Sequence, residues 1–269
     1  MNARRSVRCL VTIVVLLASS IEIRTQAQGT ASLSRAESRD AQAPDITGSW
    51  ERYGFVPGGA RGAGARDATI PPPAPQPALK PEYAKQWQAR TQAARDAAAK
   101  GEPLATDNVH CIPEGMPSMM GAQFPIEILQ SRGQITIIEE AFTQVRRILL
   151  DRPQKTIDDI EPGFFGYSVG KWESGTLVVD TIGIKENVRF QNMPHSPQMR
   201  IRERLKLVSP DVLWNEITIE DPVVLEKPHT YTVAYRRMPN YSLLEYVCED
   251  NREYADDQGR QRIRVEPGR

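Results

Sequence analysis

Neither sign of charge is in surplus in this chain of 269 residues: 34 Lys and Arg stand against 34 Asp and Glu. Partners rich in phosphate select for excess Lys and Arg, so the balance argues against nucleic acid or an acidic membrane surface. Catalytic signatures are missing as well. The chain has no GxSxG, Walker or GxGxxG pattern, no HExxH or CxxC, and no His pair at helical spacing. No metal and no cofactor is therefore expected. What is present is an ordinary globular composition, 40% apolar and 7% aromatic, which argues against fibrous and fully disordered classes.

The first residues read as targeting. Arg4, Arg5 and Arg8 precede an apolar run from Cys9 to Ala18, which is shorter than the roughly 20 residues a spanning helix needs. This predicts a signal peptide over 1–27, with Thr25-Gln26-Ala27 as a small-x-small cleavage site, and places the mature protein in the periplasm or secreted. No membrane insertion is expected after cleavage. The mature chain then holds 30 basic and 33 acidic residues and loses Cys9. Cys111 and Cys248 remain, to be joined in one disulfide closing a long loop or kept as buried thiols.

Residues 28–80 read as a flexible leader with one possible strand, Ile46 to Tyr53, and a Gly- and Pro-rich loop containing Pro71-Pro72-Pro73. Residues 81–269 are expected to form a helix and a single β domain. Pro81 to Lys100 carries the helix pattern, with Pro at its first position, Glu82 at its positive end and Gly101 as its stop. From Phe124 the chain becomes a series of strands with short polar connections, ending in YSLLEYVCE. Such connections join antiparallel neighbours. The expected fold is mainly β, an antiparallel meander closing into a lipocalin-like barrel or half-barrel behind one N-terminal helix. A β-sandwich is the alternative.

Period-two alternation then marks polar side chains among apolar ones. In MRIRERLKLV, Glu203 shares a face with Met199, Ile201, Leu205 and Leu207. Asp180 alternates with Val178 and Ile182, Glu245 lies between Leu243 and Val247, and Asn215 joins Leu213, Ile217 and Ile219. Carboxylates on such faces either line an apolar small-molecule cavity or pair with an Arg of a neighbouring strand, with Arg146, Arg147, Arg236 and Arg237 as candidates. His195, in a Pro-bracketed loop, is a candidate proton shuttle for Glu203 and Asp180. Met119 and Met120, in the apolar GMPSMMG segment, are candidate caps on the cavity, or plain loop packing.

The stretches CIPEGMPSMMG, GYSVGKWESGTLVVDTIG, PHSPQMRIRERL and LLEYVCEDN mark a resemblance that extends over about residues 103–251. They resemble an uncharacterised family of exported bacterial proteins with a GHSxGxWEGDTLVVDT-like stretch, a PHS…ER segment and an EYxCxEN ending. By position, the resemblance picks out Trp172, Asp180, His195, Ser196, Glu203, Arg204, Glu245 and Cys248. It places Tyr167 where the family shows His. Trp172, Tyr167, Asn215, Glu245, Met119 and Met120 form the candidate ligand-binding set. Two functions follow: an exported barrel binding an apolar or aromatic small molecule in its interior, or a cofactor-free acid–base enzyme (lyase, isomerase or hydrolase) using Glu203 and His195.

Overall fold

The computed structural model describes residues 43–54, 68–105, 107–248 and 253–263. The expected signal peptide, nearly all of the leader before Pro44 and the Gly-rich part of the following loop lie outside the described residues. Nine strands form a closed barrel: β1 (Gly48–Tyr53), β2 (Ile126–Ser131), β3 (Gln134–Glu139), β4 (Gln144–Leu150), β5 (Tyr167–Glu173), β6 (Thr176–Ile182), β7 (Arg200–Ser209), β8 (Val212–Glu220) and β9 (His229–Arg237). A separate two-stranded sheet pairs β10 (Glu253–Ala255) with β11 (Gln261–Ile263).

The strands follow one another around the barrel in chain order, and β1 closes it between β2 and β9. The possible first strand is thus a barrel strand, and helix α1 (Pro81–Ala99) is an insertion after it, so the barrel does not begin at residue 81. All neighbours are antiparallel except β4 and β5, which run parallel with Ile148 opposite Ser168. Residues 151–166 join them, long enough for the crossover a parallel pair requires. At the β5–β6 turn, Ser174 and Gly175 both take positive φ, 48° and 79°. That is the two-residue hairpin conformation whose twist matches its strands.

Strand alternation sorts side chains as the pattern requires. On β7, Ile201, Glu203 and Leu205 are wholly buried while Arg202, Arg204 and Lys206 are exposed. Trp50, Tyr235, Met116, Met119 and Met120 join them in a filled core. Helix α1 ends in a Schellman cap, with Gly101 N–H donating to Ala98 O and Glu102 N–H to Ala97 O, both at 3.0 Å. Tyr83 and Trp87 fasten it to the core, and Trp87 Nε1 donates to Gln191 O at 2.9 Å.

The final expected strand, YSLLEYVCE, is not one: Tyr241 to Val247 run without regular structure. The barrel is already closed where β1 pairs with β9, and this segment joins no sheet. The segment is instead tied down by side chains. Tyr241 Oη and Leu244 N–H donate to Glu140 Oε2 at 2.6 and 2.9 Å, and Tyr246 lies 4.9 Å from Phe142, ring centre to ring centre. Cys111 and Cys248 are joined as a disulfide with Cα atoms 5.7 Å apart. No helix among the described residues is long and apolar enough to cross a membrane.

Candidate functional site

Inside the barrel, strand register brings one polar cluster together. Arg146 reaches from β4 past β5 and β6 and grips Glu203 with both terminal nitrogens, Nη1 lying 3.0 Å from Oε1 and Nη2 bonding Oε2. Asn215 Nδ2 donates to the same Oε1 at 2.9 Å. The guanidinium also donates to Thr181 Oγ1 at 3.0 Å and to Ser168 Oγ at 3.3 Å. Arg146 and Glu203 have no exposed side-chain surface. Of the two readings of Glu203, ligand or structural ion pair, the contacts are those of the pair. Its charge acts on its neighbours: the hydroxyls of Tyr231 and Tyr235 are pushed well above the usual tyrosine range, first by burial and then by Glu203.

A second buried acid went unmarked in the sequence reading. Glu139 is wholly buried at the end of β3, and Gln144 Nε2 donates to its Oε2 at 2.7 Å. Its other oxygen meets no partner among the described residues. Burial, with the negative charge of Glu114 added, pushes its pKa up to about 9 against the weaker opposing bond from Gln144. Glu139 is therefore a neutral acid at pH 7. The alternation that exposed Glu203 was available here too, since Ile135, Ile137 and Glu139 share one face of QITIIEE.

The remaining candidates do not converge. His195 is buried in its loop, each ring nitrogen 3.0 Å from a backbone oxygen, Nδ1 from Ser196 O and Nε2 from Lys185 O. It shares no hydrogen-bond partner with Glu203. Asp180, expected on the inner face, points outward instead, where Arg200 clamps it and Gln154 Nε2 donates at 3.1 Å. Its strand is apolar on both faces, and the inner set proves to be Leu177, Val179 and Thr181. Tyr167 packs under Lys155, whose Nζ sits 4.9 Å from the ring centre. Trp172 rests half-buried on the core, and Glu245 is exposed in the irregular C-terminal segment, not facing a barrel interior. Met119 and Met120 are buried core residues, and Tyr235 Oη donates to Met120 O.

The cavity of useful size lies at the barrel's side. β1 pairs with β9 only from Ala234 to Arg237. From His229 to Val233, β9 has β8 on one flank and no strand partner on the other among the described residues. Beside it lies a cavity of about 930 Å³, lined by Tyr231 to Ala234 of β9, Arg52 and Tyr53 of β1 with Gly54 after them, Gly121 to Phe124, the proline wall Ile70 to Ala74, and Phe190 with Gln191. Its aromatic content is high: Phe190 stacks on Tyr231 with planes 9° apart and centroids at 5.2 Å, and Tyr53 and Phe124 form other walls. Its volume falls within the range of small-molecule sites. The sequence held no signal for this slot, which lies where β9 runs on past its pairing with β1 among the described residues.

Neither the known protein-family models nor the curated proteins contain a match to this sequence.

Proposed function

We propose that this chain is an exported barrel protein that binds an apolar or aromatic small molecule, seated in the slot beside β9 and not along the barrel axis. The observation that carries the reading is the 930 Å³ aromatic-walled slot in the flank of a barrel whose centre is filled by its own side chains. Aromatic and apolar walls interspersed with polar groups, here Arg52, Glu114, Ser118, Gln123, Gln191 and Thr232, are compatible with such a site. The basic and apolar N-terminal pattern and the disulfide support export to an oxidising compartment. The acid–base alternative gains nothing from the geometry, because Arg146 and Asn215 take up the Glu203 carboxylate and His195 is held elsewhere.

Gly121 supplies the test. A Cβ added there meets nothing within 4 Å, so Gly121→Trp is expected to narrow the slot while the fold is kept. The unaltered protein is expected to bind 8-anilinonaphthalene-1-sulfonate with a rise in dye fluorescence. The Gly121→Trp protein, with its thermal midpoint unchanged, is expected to lose that rise. Equal dye binding by both proteins would remove the slot reading.

A further inference from the structure

Tyr241 to Cys248 form a strap across one end of the barrel, and the Cys111–Cys248 bond fastens its far end. Cys111 is exposed and Cys248 half-buried, so the bond lies at the surface, where an attacking thiol has access. Side-chain hydrogen bonds anchor the first half of the strap. Ser49 Oγ donates to Tyr241 O at 2.8 Å, and Glu140 Oε2 accepts from Tyr241 Oη and from the Leu244 N–H. The second half rests on the Tyr246 ring, packed against Phe124 and Phe142, and on the disulfide. Leu244 is 67% exposed and Val247 46%, so these apolar side chains add little burial. Segments that bury little apolar surface open first in a fold. The backbone where the strap is seated is strained as well. Cys111, Phe142 and Thr143 take φ of 57°, 58° and 46°, which non-glycine residues rarely adopt. Such conformations persist only while their surroundings hold them. The strap does part of that holding, by its bond to Cys111 and its ring on Phe142. Between strap and barrel lies a pocket of about 310 Å³, lined by Phe142, Gln144, Val145, Tyr246 and both half-cystines.

We propose that the Cys111–Cys248 bond is a redox latch, a site of thiol–disulfide exchange whose reduction releases the strap while the barrel stays folded. The co-reactant is a dithiol. One of its thiolates attacks a sulfur of the bond, forming a mixed disulfide and expelling the other cysteine as a thiolate. Its second thiol then displaces the captured sulfur. The dithiol leaves oxidised to a disulfide, and Cys111 and Cys248 are left as two thiols, having gained two electrons and two protons. The barrel survives because its ring closes by the pairing of β1 with β9, which the bond does not join. The strap responds because it loses its covalent tie to Cys111, and Cys111 is then able to leave its left-handed conformation. Tyr246 moves off Phe142, and the pocket opens to solvent. This latch is independent of the slot beside β9, so either can fail alone.

The test treats the intact disulfide-bonded protein with dithiothreitol, itself a dithiol, under conditions where the protein stays folded. Alkylation counts the thiols released, and amide hydrogen exchange read by mass spectrometry reports each segment. Reduction is expected to yield two alkylated cysteines. It is also expected to speed exchange over residues 241–248 roughly tenfold or more beyond any change in the barrel strands, as local opening does. The far-ultraviolet circular dichroism is expected to stay the same, and reoxidation to restore the slow exchange. The double variant Cys111→Ser with Cys248→Ser is expected to show the opened pattern without reductant and no response to it. A bond that resists dithiothreitol until the protein unfolds would overturn the latch. Strap exchange unchanged by reduction would overturn it too, by showing that the other contacts hold the segment. An equal gain in exchange across strap and barrel, or a double variant that fails to fold, would make the bond a staple of the whole fold and also overturn the proposal.

Discussion

Glu139 carries a clear pH signature. Its native pKa is raised to about 9 from an ordinary value of 4.5. Between those values the native state holds a proton that the unfolded chain has released, so stability falls as pH rises through that window, by at most about 1.4 kcal/mol per unit. Glu139→Gln preserves the acceptor for Gln144 and removes the titration. Above about pH 7, where the buried His229 no longer titrates, denaturant midpoints for the variant are expected to stay flat while those of the parent decline. Glu203 differs in kind, because its charge is matched. Arg146→Met strands that charge in the core and is expected to cost about 3–5 kcal/mol, while the double change Arg146→Met with Glu203→Leu recovers most of the loss. Chemical unfolding of the three proteins measures this. Glu203 was legible from alternation, since its strand has one basic and one apolar set; Glu139 went unmarked, because Ile138 blurs the polar set of its strand. Asp180 was not legible, because TLVVDTI is apolar on both sets and period two alone cannot say which faces inward.

At the scale of elements, eight of the nine barrel strands were readable from apolar runs bounded by turn residues, and the ninth, β1, was present as a possible strand. Two features escaped, both because they depend on neighbours. The parallel pairing of β4 with β5 follows from where residues 151–166 carry the chain, which no local pattern states. Tyr241 to Cys248 has strand-like composition, but a closed ring offers it no place. Tyr246 instead packs against Phe124 and Phe142, with ring centroids at 6.3 and 4.9 Å, while Leu244 and Val247 stay exposed. The slot escaped for a related reason. Among the described residues it lies where β9 runs on past its pairing with β1, a relation between two segments that neither one contains.

For the molecule as a whole, the Cys111–Cys248 disulfide spans 137 residues and encloses every strand from β2 to β9. Closing so long a loop in the unfolded chain is worth about 4–5 kcal/mol in the chain-entropy model. Cys248→Ser is expected to lower the unfolding free energy by up to that amount while leaving the far-ultraviolet circular dichroism of the barrel intact, since no barrel strand depends on the bond. Thermal and denaturant unfolding with and without reductant checks it.

Barrel closure also fixes an order of events. The ring is sealed by Trp50 meeting Arg237, the near beginning and near end of the described chain. A ribosome or a translocation pore delivers β1 first and β9 last. Until β9 arrives, the growing chain carries two unfinished borders able to template wrong partners. The last strand to be made therefore ends that vulnerability, and a chain cut short before His229 would leave every earlier strand correctly specified yet unable to close.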